Sequence, residues 1–384
     1  MKKMIINILA AATVGSALSG CGTLFDKDNT PPPSPLVKLT PAINIQTVWS
    51  TNAGSGSESE YLKLTPSITA DRIYTSSKDG IIASVDKTSG KIAWKIHTPD
   101  DLSNGITASN GMLFVGTRKG NLLALNQTNG SLVWKVPASS EMLAPAAATQ
   151  QIVLIKTIDG RVTALSQQDG HALWHYQETE PSLVLRGSSA PQITNNSVIV
   201  GFENGGLVKL SLQKGSVAWK QAIAQPEGVF AIQRMIDVDA DPIIVGNRVI
   251  AATYQGRIAA LNLADGNELW SHDISSYSGI ASNGSQVYVS DAAGRVWAFD
   301  VKNGNVDWQQ NQLLARNITG PALLGNYIVV GDAEGYLHWL DKQDGHFVAR
   351  TFVNKSGIIA APLADNNTLY VYTKNGRLTA YKIL

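Results

Sequence analysis

The sequence predicts an all-β fold, an eight-bladed β-propeller of four-stranded antiparallel blades whose ring is closed by the N-terminal strand. Three observations carry this. A glycine precedes a short apolar strand eight times, at Gly80, Gly120, Gly160, Gly205, Gly256, Gly294, Gly335 and Gly376. In seven copies a second glycine follows ten residues later, at Gly90, Gly130, Gly170, Gly215, Gly266, Gly304 and Gly345. In six a tryptophan follows four further on: Trp94, Trp134, Trp174, Trp219, Trp270 and Trp308, with Ala349 in the seventh copy. A fixed register with a period of about forty residues is the mark of a stacked or radial repeat.

Inside each copy the period is two. In Gly120-Asn121-Leu122-Leu123-Ala124-Leu125-Asn126 and Gly256-Arg257-Ile258-Ala259-Ala260-Leu261-Asn262, apolar or small residues fall two, four and five places after the glycine, and a polar residue ends the run. A β-rich run lies upstream of each first glycine, as in Leu113-Phe114-Val115 and Ile328-Val329-Val330. A shorter run near a proline or small residue precedes it, as in Ala190-Pro191-Gln192-Ile193. With the tryptophan strand, each copy reads as four short strands joined by tight turns. Units of this kind are propeller blades, covered on both faces by their neighbours. The glycines are expected to supply turns with φ > 0. The tryptophans are expected to pack between blades, each N–H on a backbone carbonyl.

The eighth copy ends at Leu384 with no room for a tryptophan strand, and Ile45-Gln46-Thr47-Val48-Trp49-Ser50 has the composition of that strand. Pairing it with residues 377–383 closes the ring and removes an open sheet edge. The propeller is therefore assigned to residues 45–384.

Charge is balanced, 31 basic against 30 acidic residues. Without a basic stripe, nucleic-acid binding has no support. The single cysteine, Cys21, excludes an internal disulfide. Lys2 and Lys3, an apolar stretch from Met4 to Leu18, and small residues before Cys21 describe a signal segment over residues 1–20, too short for a bilayer span. Leu18-Ser19-Gly20-Cys21 resembles the lipobox of bacterial lipoproteins. That resemblance implies cleavage before Cys21 and lipidation of its thiol, and Gly22 in place of aspartate implies sorting to the outer membrane. Residues 21–44, with Pro31-Pro32-Pro33-Ser34-Pro35, read as an extended, semi-rigid tether that holds the ring off the membrane.

The search for chemistry returns no catalytic residue, no cofactor site and no metal site. The six histidines do not cluster, and no pair has zinc-ligand spacing beside a carboxylate. Asp237-Val238-Asp239-Ala240-Asp241 begins like a calcium loop, but Pro242 stands where glycine is needed and Arg248 where a bidentate glutamate is needed. The Ala-Leu-Asn-x-x-x-Gly-x-x-x-Trp repeat resembles the docking repeat of quinoprotein dehydrogenases, which hold pyrroloquinoline quinone centrally. The chain lacks their adjacent cysteines and an evident set of calcium ligands, so a quinone-dependent periplasmic dehydrogenase is the alternative reading, and the protein is expected not to be an enzyme.

Function is sought where the repeat is broken. From each tryptophan to the next first glycine the gaps are 26, 26, 31, 37, 24 and 27 residues. The two long ones flank the fourth blade and are expected side by side on one face. The first contains Glu178-Thr179-Glu180-Pro181-Ser182-Leu183-Val184-Leu185-Arg186-Gly187 and the second Pro226-Glu227-Gly228-Val229-Phe230-Ala231-Ile232-Gln233-Arg234-Met235-Ile236-Asp237-Val238-Asp239. Two readings of the first are open: leucines tucked under the ring, or an exposed apolar patch with an arginine, the make-up of a partner site. The lipobox, the proline-bearing tether, the eight blades and these two loop segments together resemble the propeller-lipoprotein family of the outer-membrane β-barrel assembly machinery. The resemblance implies a scaffold on the periplasmic face of the outer membrane. It implies that Leu183, Leu185 and Arg186 bind a POTRA domain of BamA, with Asp237 and Asp239 beside them. Unfolded outer-membrane proteins meeting exposed strand edges are a further implied partner.

Overall fold

The computed structural model describes residues 30–384 apart from Ser182. Cys21 and the signal segment lie outside the described residues.

Eight four-stranded antiparallel sheets are arranged in a ring, and each runs from an inner strand at the axis to an outer strand at the rim. Blade one is Ser67–Ile68, Arg72–Ser76, Ile81–Asp86 and Ile92–His97. Blade four is Gln192–Thr194, Ser197–Gly201, Gly206–Ser211 and Val217–Ala222. Second and third strands are buried almost throughout, whereas outer strands alternate, as the burial of blade one illustrates. That pattern follows from position: middle strands are sandwiched between neighbouring blades, and outer strands face solvent on one side.

The closing blade is composite. Its inner three strands are Leu363–Asp365, Thr368–Tyr372 and Arg377–Ile383. Its outer strand is the N-terminal Ile45–Asn52, paired from Ile45 opposite Ile383 to Asn52 opposite Arg377. The ring is closed as the sequence predicts.

The recurrent glycine and tryptophan form one seam between consecutive blades. The indole N–H of Trp219 donates to Leu263 O, in the next blade's last turn, at 3.1 Å. On the same turn Gly266 has φ +77°, and a Cβ there would lie 2.8 Å from the Trp219 ring. Trp49 repeats this across the closure, donating to Lys87 O and covering Gly90. The contact explains Ala349. A blade-seven tryptophan would need a last turn in blade eight, and that blade's outer strand arrives from the other end of the chain. Ile43 and Ile45 pack in that cluster instead.

The proline-bearing segment differs from a free tether. Ser34 N–H donates to Leu314 O, Arg316 to Ser34 O, Arg350 to Val37 O, and Ala42 N–H to Val348 O. The two arginines are joined through Asp332 and His338, since Arg316 Nε and His338 Nε2 both meet Asp332 Oδ2, at 2.8 and 2.9 Å. Residues 34–42 therefore run down the side of blade seven, because the buried Arg316 and the half-buried Arg350 offer donors to their carbonyls.

Candidate partner-binding face

Every connection between blades emerges on the face that also carries the turns between second and third strands. The two long connections, residues 178–191 and 223–242, meet there. Between them the second runs as extended chain, so alternate side chains point to opposite sides. Ile236, Val238 and Ala240 are buried, and Val238 joins the core shared by blades four and five. The three aspartates face the first connection. Asp237 accepts the Leu185 N–H. Asp241 accepts the Ala190 N–H at 2.7 Å. The Asp239 carboxylate lies against Gly187, where a Cβ would be 2.7 Å away. The motif that begins like a calcium loop is thus a clasp, its carboxylates aimed at separate points along a neighbouring loop.

A buried ion pair supports the base of the first connection. Lys156 Nζ lies 2.9 Å from Glu203, both fully covered, and Ser188 Oγ donates to the same carboxylate at 3.1 Å. Such a pair holds geometry more than it adds stability, since desolvation offsets the attraction. The carboxylates around it are crowded. Burial pushes Asp237 up to about 7 against the lowering effect of the Leu185 N–H, with Asp239 and Glu203 adding to the rise. Burial likewise raises Asp239 to about 6, opposed by Lys63. Glu180 is raised well above the usual carboxylate range by burial and by the charge of Glu203.

Leu183 is 44% exposed, Arg186 is exposed and Leu185 is half-buried. Arg186 reaches Glu141 on the preceding connection at 3.1 Å, and neither aspartate holds it. Asp237 and Asp239 lie beneath this surface, at 0% and 3% exposure, because their oxygens turn inward to the loop backbone. The structure brings all five together, with three on the surface and two below it.

Sequence reasoning missed the tip of the second connection. Val229, Phe230 and Ile232 are 88%, 67% and 61% exposed, around a 3-10 turn at Ala231–Arg234. Gln233 Oε1 accepts the Val229 and Phe230 N–H groups, both at 3.1 Å, which organises the tip. An apolar run inside a long connection was the signal available. Large apolar side chains held out on an ordered tip mark an interaction surface.

The family model described as outer membrane protein assembly factor BamB matches residues 46–310. The chain is 42% identical over 382 residues to the outer membrane protein assembly factor BamB of Legionella pneumophila strain Paris, covering 99% of each. The chain belongs to the BamB family. The crystal structure of BamB from Moraxella catarrhalis superposes with a TM-score of 0.82 at 27% identity, over 88% of this chain and 100% of that one. A europium-containing methanol dehydrogenase superposes at 0.73 with 12% identity, over 88% and 93%. That second likeness is one of fold alone.

Proposed function

We propose that this chain is a non-enzymatic scaffold lipoprotein of the outer-membrane β-barrel assembly machinery, anchored through lipidated Cys21 on the periplasmic face of the outer membrane. It binds POTRA domains of BamA and so assists the folding and insertion of outer-membrane proteins. Leu183, Leu185 and Arg186 supply the contact, and Phe230 and Ile232 extend it. Asp237 and Asp239 contribute from below by fixing the loop backbone. The observation that carries this reading is the clasp: a family member uses two buried aspartates and a third, Asp241, at the surface to hold an exposed apolar and cationic loop in one shape. Preorganised apolar anchors with an arginine are the usual hot spots of an interface.

Titrating a BamA POTRA fragment into wild type, Leu183→Ala and Arg186→Glu tests it. Each substitution is expected to weaken binding by about tenfold or more, at roughly 1.4 kcal/mol per decade. Arg186→Glu should exceed Arg186→Ala because it also reverses a charge. Melting temperatures should hold within the small range typical of exposed positions. Unchanged affinity in both variants would remove the loop from the interface.

A further inference from the structure

The ring axis carries a second site on this same face. Lys63 lies on the connection entering blade one, yet its ammonium donates to Tyr277 O at 2.5 Å and to Asp239 O at 3.4 Å, on the connections entering blades six and five. Blades one and five are diametrically opposed in an eight-fold ring, so Lys63 reaches across the mouth of the central channel. Beside it remains a cavity of about 300 Å³, lined by Tyr61, Lys63, Tyr277, Ile318, Ile358 and Lys374 among others.

One of the two charges at this cavity is uncompensated. Among the described residues the Lys374 ammonium has no hydrogen bond and no ion pair. Lys63 donates only to carbonyls, although the buried Asp239 feels its charge. The neighbouring cation Arg316 is already matched by Asp332 and Glu334. A half-enclosed pocket with a free ammonium, apolar walls and two phenol rings favours a carboxylate on an apolar stem, since an ammonium–carboxylate bond is strengthened where water is partly excluded. Its volume suits one or two side chains and lies at the small end of ligand sites. The pocket also continues into the clasped loops through Asp239, which abuts Gly187 with its carboxylate and meets Lys63 with its carbonyl.

We propose that the axial pocket is a binding site for an acidic side chain carried on an extended polypeptide segment lying across this face, with Lys374 as the primary contact. The proposal rests on the axial geometry and stands apart from the identity of the partner at Leu183 and Arg186.

The probe is a fluorescently labelled heptapeptide with one central glutamate flanked by leucine, valine and tyrosine, compared with its glutamine counterpart by anisotropy against the whole protein. The glutamate peptide should bind about tenfold more tightly, as expected for one charge-assisted bond. Raising the salt should erode the difference. Lys374→Gln, a half-exposed position, should abolish the discrimination while leaving the melting temperature unchanged. Equal affinity for the two peptides, no binding of either, or discrimination that survives Lys374→Gln would each overturn the proposal. Free glutarate is the last arm: displacement of the peptide at equal concentration would make this a small-molecule site and overturn the polypeptide assignment.

Discussion

The seams between blades and the pair of long loops beside blade four are both closely packed, yet they are built from opposite chemistry. At a seam, an indole covers a glycine and gives its one polar hydrogen to a backbone carbonyl. No carboxylate is buried at the Trp219 seam, where the Lys209 ammonium shares the Leu263 carbonyl with the indole, and burial of the ring is nearly all gain. In the loops, the buried Asp237 and the exposed Asp241 accept backbone N–H groups, and Asp237 Oδ1 and Asp239 Oδ1 find no partner among the described residues. Such groups cost stability. The difference teaches where this molecule stores rigidity and where it spends some of it to hold a surface in place.

The largest effect that sharpens this contrast concerns the seam that closes the ring. Removing residues 21–52 deletes the strand Ile45–Asn52 and with it Trp49, baring the edge of Arg377–Ile383. Loss of the half-buried tryptophan together with a whole strand's pairing should cost roughly 5 kcal/mol or more and promote aggregation. Removing only residues 22–33 spares both the strand and the Ser34 contacts to Leu314 and Arg316. Its melting temperature should match wild type. If thermal melts of the two truncations coincide, the N-terminal strand does not close the ring in solution.

A smaller effect isolates one seam. Trp219→Ala empties a buried site and should cost about 3–5 kcal/mol. Gly266→Ala places a methyl 2.8 Å from the same ring at φ +77°, a combined backbone and steric penalty of roughly 2–4 kcal/mol. Removing the ring relieves the steric part only. Urea titrations of the double variant should therefore show less than the sum, by about 1 kcal/mol or more. Strict additivity would mean that the glycine is there for its turn alone.

This contrast also governs what the sequence could reveal. The seam was legible because it couples residues at a fixed spacing in every blade, and a single error in that spacing would separate Gly266 from Trp219. Ala349 looked like a defect until the composite eighth blade showed that it has no turn to meet. The loops were located by length, and their adjacency followed from the up-and-down course of each blade. Their inner workings were not legible. Leu185 and Asp237 meet across 52 positions in the chain, and Arg186 turns to Glu141 instead of either aspartate. Contacts of this kind occur once, so no periodicity announces them. Lys63 reaching across the ring axis is a further instance, visible only when blades one, five and six are in place. The N-terminal segment misled for the same reason: Ser34 and Val37 are held by arginines nearly three hundred residues away or more.

The smallest expected effect lies in the clasp and depends on pH. Asp237 titrates near 7 in the folded protein, against an ordinary value of 3.8. Between those limits the folded state keeps a proton that the unfolded chain has released. Stability must then fall as pH rises from about 4 to 7, and this group contributes no slope above or below that window. Asp237→Asn is neutral throughout and still offers an oxygen to the Leu185 N–H. It should flatten part of the slope, by an amount on the order of 1–3 kcal/mol between pH 4 and 8, while Asp239 and Glu180, also raised, retain theirs. Asp237→Ala removes the acceptor as well and leaves the Leu185 N–H unpaired, so it should be less stable than Asp237→Asn at every pH. Chemical denaturation across pH 4–8 separates the three. A wild-type stability that climbs with pH over this window, with Asp237→Asn running parallel to it, would mean that the carboxylate is ionised and satisfied. The loop would then be held by the charge itself, and the clasp would share the thrift of the seams after all.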